Sequence, residues 1–156
     1  MTSAEPSPTG GPDTPYDAAL CAALASEHAV IYGYGIVSAQ SQPDVNSLVS
    51  VALAQHRERR DQVAAMLAAR SVTAPVAAAG YQLPMPVNDP TDADRLAARM
   101  ELDDAVAWRA VVEQAPDPRD RRFAVTALTQ CAVLAARWNR VVGVWPITTA
   151  FPGGGE

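Results

Sequence analysis

Apolar residues recur every three to four positions in four long segments, and each segment predicts an amphipathic helix. The first runs from about Tyr16 to Ala39, with Leu20, Leu24, Glu27, Ile31 and Tyr34 on one stripe. The second opens at Gln42, Pro43 and Asp44, where proline suits the first turn, and runs to about Arg70 through Leu48, Ala52, His56, Val63 and Leu67. The third opens at Thr91 to Asp94, read as an N-cap followed by acids that the helix dipole favours. It continues through Leu96, Met100, Glu101, Ala105 and Trp108 to about Gln114. The fourth opens at Asp117 and Pro118, carries Phe123, Ala127, Gln130, Leu134 and Arg137, and ends near Val142 and Gly143. At roughly 24 residues each, the predicted helices are about 35 Å long.

The spacing of the segments predicts their connectivity. A few residues around Ser41 join the first pair and a few around Pro116 join the second, which suits two antiparallel helical hairpins. Residues 71–90 lie between the pairs and contain four prolines, a length that suits one long crossover along a bundle. The expected architecture is therefore all-α: an antiparallel four-helix bundle over residues 16–143, two hairpins and one crossover. Residues 1–15 and 144–156, rich in Pro and Gly, read as tails, the first of them disordered.

Each helix carries a polar residue near its midpoint among apolar neighbours: Glu27, His56, Glu101 and Gln130. A shift of 74 residues places Glu27 on Glu101, Tyr34 on Trp108 and His56 on Gln130, a weak internal repeat of the hairpin. Buried polar groups need partners. Either a metal ion is clamped by this layer or an arginine neutralises its carboxylates. Arg59 and Arg60 follow His56 by three and four residues, so one or both share its face. Arginine also suits bidentate pairing with carboxylate. The expected layer is Glu27, His56, Arg59, Arg60, Glu101 and Gln130.

Composition narrows the class. At 156 residues and 49% hydrophobic, the chain is one domain that needs no staple to fold. Thirty-one alanines favour closely packed helices. All twelve basic residues are arginine, and the net charge of -5 offers no general attraction to nucleic acid or anionic membrane. No run of 18 consecutive apolar residues occurs, so a membrane span is not expected. Met1 to Pro15 lacks the basic start and apolar run of a signal peptide. The cytoplasm is the expected location, with Cys21 and Cys131 reduced and both read as small buried core residues. Tyr32, Tyr34 and Trp108 read as core aromatics, His28 as an edge residue, and the basic runs His56 to Asp61 and Arg119 to Arg122 as solvated or salt-bridged faces. Gly33 and Gly35 either admit a neighbouring helix closely or mark a self-association face for a homodimer. No phosphate loop, nucleophile elbow or zinc spacing is present.

The phrases SEHAVIYGYG, AQHRERRD, ELDDAVAWR and CAVLAARWNR, with the helix count and the mid-helix glutamates, resemble an uncharacterised ferritin-like family of GC-rich bacteria over roughly residues 16–142. Metal-binding ferritin-like proteins place a lone Glu on each of two helices and Glu-x-x-His on the other two. The resemblance implies lone glutamates at Glu27 and Glu101. The paired motifs are replaced by the surroundings of His56 on the second helix and of Gln130 on the fourth, too few ligands for a di-iron centre. The expectation is a degenerate, metal-free bundle acting as a binding or structural module. The alternative is an iron- or manganese-dependent oxidoreductase or peroxide-handling protein holding a single ion on Glu27, His56 and Glu101. A third possibility is a small-ligand bundle with the polar layer at the base of a pocket.

Overall fold

In the computed structural model, which describes residues 10–154, the chain forms four long helices and no strand among the described residues. They are α1 (Pro15–Gln40), α2 (Asn46–Ala69), α3 (Pro90–Gln114) and α4 (Pro118–Val142), with a single 3-10 turn, Pro43–Val45, leading into α2. Three of them start by one device. Thr14, Asp89 and Asp117 cap α1, α3 and α4, each accepting the backbone N–H three residues on, with proline at the first helical position. The cap of α3 is therefore Asp89 and not the Thr91 region. Its carboxylate takes the Asp92 N–H at 2.8 Å, and Pro90 fits the first turn because it has no N–H to leave unpaired. α4 stops at Gly143, whose φ of 82° closes the last turn through the Asn139 carbonyl.

The helices pack as a bundle. α3 and α4 share the largest interface, α1 packs on both α3 and α2, and α2 meets α4 over only a few residues. Two apolar clusters make the core. One gathers Leu20, Leu24, Leu67, Trp108 and Val111; the other gathers Tyr34, Val37, Leu48, Leu96, Leu134 and Trp138. Between them lie buried Glu27, His56, Arg59, Glu101 and Asp104. α1 is long and apolar enough by composition to cross a membrane, with mean hydropathy 1.3, yet its inner face buries Asp17 and Glu27 against its neighbours.

Gly33 is one of the places where a missing side chain matters. A Cβ there would run into the Met100 sulfur, so Gly33 lets α3 approach α1 and is consumed inside the chain, whereas Gly35 faces open space. Residues 70–89 run over the seam of α1 and α3: the His28 ring N–H donates to the Pro75 carbonyl at 3.2 Å, Tyr81 packs on Tyr32, and Leu83, Met85 and Val87 join the core. The Thr73 N–H reaches Gly10 at 3.2 Å, alongside the Gly10–Val72 bridge. The tail expected over residues 1–15 falls mainly on residues 1–9, outside the described residues. At the other end, residues 144–154 turn back over the bundle. Asn139 donates to the Ile147 carbonyl, and Gly153 sits where a Cβ would lie 2.5 Å from the Ala105 carbonyl of α3.

Candidate functional site

The polar layer is a closed network built from all four helices. From α1, Glu27 accepts three donors: the His56 Nδ1 at 2.7 Å on Oε2, and the Arg59 Nε and the Trp108 Nε1, each at 2.8 Å, on Oε1. From α3, Glu101 Oε1 accepts His56 Nε2 at 3.0 Å and the Tyr34 hydroxyl at 2.5 Å. Tyr34 in turn accepts the Trp138 indole N–H at 2.8 Å. From α4, Gln130 Oε1 accepts Arg59 Nη1 at 2.8 Å. His56 lies between two carboxylates through both ring nitrogens, with its Nδ1 also 2.7 Å from Arg59 Nη2, and the two carboxylates favour the imidazolium form that donates on each side.

The sequence places four of its six expected residues in this buried layer: Glu27, His56, Arg59 and Glu101. Gln130 is half-buried at its margin. Arg60 is not part of it. Its Nε pairs with Asp61 at 2.8 Å near the surface, because one more residue along α2 turns the side chain about 100° away from Arg59. Of the two arginines, Arg59 faces inward.

Asp104 is the residue that sequence reasoning missed. It is fully buried on α3, accepts the Ser26 hydroxyl at 2.6 Å and the Cys131 thiol at 3.2 Å, and lies 3.7 Å from Arg59 Nη2 and 3.8 Å from His56 Nδ1. The signal was its position three residues after Glu101, on the same helical face. Its neighbour Asp103 faces the other way, exposed and paired with Arg99.

Protonation follows from burial and charge. Burial disfavours an imidazolium, but the Glu101 and Glu27 carboxylates outweigh it and raise His56 to about 9. Burial likewise pushes Glu27 up, and the hydrogen bond and charge of His56 with the charge of Arg59 bring it below its ordinary value. Asp104 rises to about 7, because burial and the Glu27 charge exceed the help from His56, Ser26 and Arg59. Burial and the Asp104 charge also hold the Cys131 thiol well above its ordinary range, so it serves as a neutral S–H donor and not as a nucleophile. With Asp104 protonated, two cations face two carboxylates, and the layer is neutral. Within the layer, Glu101 Oε2 has no partner among the described residues.

One set of donor atoms, on Glu27, His56 and Asp104, gathers within 4.8 Å and is buried. The donor chemistry argues against a di-metal centre there. The same Glu27 and Asp104 oxygens already face the Arg59 guanidinium, and both imidazole nitrogens are spent on carboxylates.

The family described as a domain of unknown function, DUF4439, matches residues 19–156. The chain belongs to the DUF4439 family. The DUF4439 chain is also 68% identical to a conserved hypothetical protein, rv2844, from Mycobacterium tuberculosis, known from a crystal structure. The similarity covers 88% of this chain and 97% of that one, with a TM-score of 0.82. No curated protein matches. Neither matching description names the ferritin-like superfamily.

Proposed function

We propose that this DUF4439 chain is a ferritin-like bundle, two antiparallel hairpins joined by a long crossover, in which Arg59 and protonated His56 stand where a di-iron centre would carry its positive charge. Its role is then that of a binding or structural module rather than a metal-dependent enzyme. The hairpin reading is supported by Asp17, at the start of α1, pairing with Arg70 at the end of α2, and the crossover by Ser41, at the end of α1, donating to Asp94 at the start of α3. The observation that carries the metal-free reading is the guanidinium of Arg59, donating to Glu27 and Gln130 at 2.8 Å each from within the carboxylate layer. Fixed positive charge in that place competes with any cation for the same oxygens.

Elemental analysis of protein purified from cells supplemented with iron and manganese tests this. The expected result is metal far below one ion per chain, in the wild type and in Glu27→Gln alike. The rival reading is a single iron or manganese ion supported by the cluster of Glu27, His56 and Asp104, with Asp104 in the place expected for Glu101. Such an ion would supply redox or Lewis-acid chemistry. Near-stoichiometric metal that disappears in Glu27→Gln would establish that rival and end the metal-free account.

A further inference from the structure

The weak contact between α2 and α4 leaves a cleft of about 490 Å³, within the size range of small-molecule sites. Gln55, Arg59 and Gln62 line it from α2, and Arg119, Arg122 and Phe123 from α4. Burial orders these residues by depth. Arg59 is buried, which puts it at the floor; Arg119 and Arg122 are exposed, which puts them at the rim. Phe123, Pro118 and Ala127 give the walls an apolar stretch between.

One feature asks for a ligand. Arg119 and Arg122 lie one turn apart at the N-terminal end of α4, both line the cleft, and neither makes an ion pair among the described residues. One acid, Glu58, also lines the cleft and accepts Gln62 at 3.5 Å, and Arg59 is paired with Glu27, so the two rim arginines leave one positive charge in excess on a chain of net charge -5.

We propose that the α2–α4 cleft binds a small organic anion: a carboxylate or phosphate held by Arg119 and Arg122, on an apolar or aromatic body beside Phe123. Paired guanidinium groups suit both acid types. This goes beyond the metal-free reading and stands on different side chains.

Calorimetric titration of the full chain with 4-hydroxyphenylacetate and with adenosine 5′-monophosphate separates the carboxylate and phosphate sources, and tyrosol serves as the neutral counterpart of the first. We expect saturable one-to-one binding of one of the two anions and little heat from tyrosol. Arg119→Leu/Arg122→Leu should weaken that binding by about tenfold or more, the effect of losing a charge-assisted contact. Arg137→Leu/Arg140→Leu removes the same charge from α4 outside the cleft and should leave affinity unchanged. All four positions are exposed, so these variants fold. No saturable binding of either anion, an equal loss in both double variants, or binding of tyrosol as tight as that of its acid would each overturn the proposal. Metal content does not enter these readouts, so this site and the metal-free reading fail separately.

Discussion

Arg59 donates to Glu27 at 2.8 Å across the seam of α1 and α2, whereas Arg60, its next neighbour in sequence, pairs with the exposed Asp61 at the same distance. Two identical side chains, one residue apart, thus sit in opposite electrostatic settings. Arg59→Leu leaves Glu27 and Asp104 facing each other without their guanidinium and should cost about 3–5 kcal/mol. Arg60→Leu should cost less than about 1 kcal/mol, because an exposed pair is screened by water. Urea unfolding of both variants at neutral pH checks this; equal losses would mean that the inward arginine has been misassigned.

The protonation pattern makes stability depend on pH with a definite sign. His56 is raised from 6.5 to about 9 in the folded chain, so its contribution is whole below pH 6.5 and is lost as pH climbs toward 9. The shift corresponds to about 3 kcal/mol. Asp104 is raised to about 7, so the folded state also resists its ionisation, and stability declines between the ordinary carboxylate range and pH 7. Glu27 is lowered and acts in the opposite direction, with stability lost in acid as it protonates. Denaturation midpoints should therefore peak in mildly acidic buffer and fall steadily to pH 9. Asp104→Asn should flatten the part of that fall below pH 7 and leave the part above it. A curve that rises between pH 6 and pH 9 would contradict the assignment.

Tyr34 hands a hydrogen bond from the Trp138 indole on to Glu101. Tyr34→Phe strands the indole N–H and takes a donor from Glu101, whose Oε2 already lacks one. The expected cost is about 2 kcal/mol. Once Tyr34 is gone, Trp138→Phe removes a donor that has no acceptor. The double variant should then lose less stability than the two single losses added together. Strict additivity in a double-mutant cycle would show that the relay is not formed.

The repeated start of α1, α3 and α4 gives a further test. Asp89→Ala and Asp117→Ala each free the N–H of the third helical residue and should cost about 1 kcal/mol in unfolding free energy. Asp92→Ala leaves the Asp89 cap in place and removes only exposed contacts, to the Asn88 N–H at 3.1 Å and to Arg95 at 3.3 Å, with a favourable dipole charge, so its effect should be smaller. A greater loss for Asp92 than for Asp89 would move the cap back into the Thr91 region.

Helical period made much of this site readable. Glu27, His56 and Glu101 stood out as charged or titratable groups at mid-helix among apolar neighbours, and all three are fully buried. The period of 3.6 reports which residues share a face, yet it resolves direction only to within a residue or so. That is why Arg59 and Arg60 stayed indistinguishable until the cross-helix partners were visible. Asp104 was hidden for another reason. Its burial depends on Ser26 from α1 and Cys131 from α4, a long-range conjunction that no local window contains. Gly33 was legible as a place of close approach, but the partner, Met100, was not.

The charged layer also bears on how an alanine-rich bundle chooses one alignment. Small side chains give adjoining helices a smooth surface, on which sliding by a turn would cost little in apolar contact. Between the two apolar clusters, however, Glu27, His56, Arg59, Glu101 and Asp104 fit one another only at a single setting of three helices. An axial slip of one turn, about 5.4 Å, would break their pairings at once. Replacing these five residues with matched apolar ones should therefore give a chain that still collapses into helices but loses its sharp near-ultraviolet tryptophan signal, because nothing then picks one axial setting over the next.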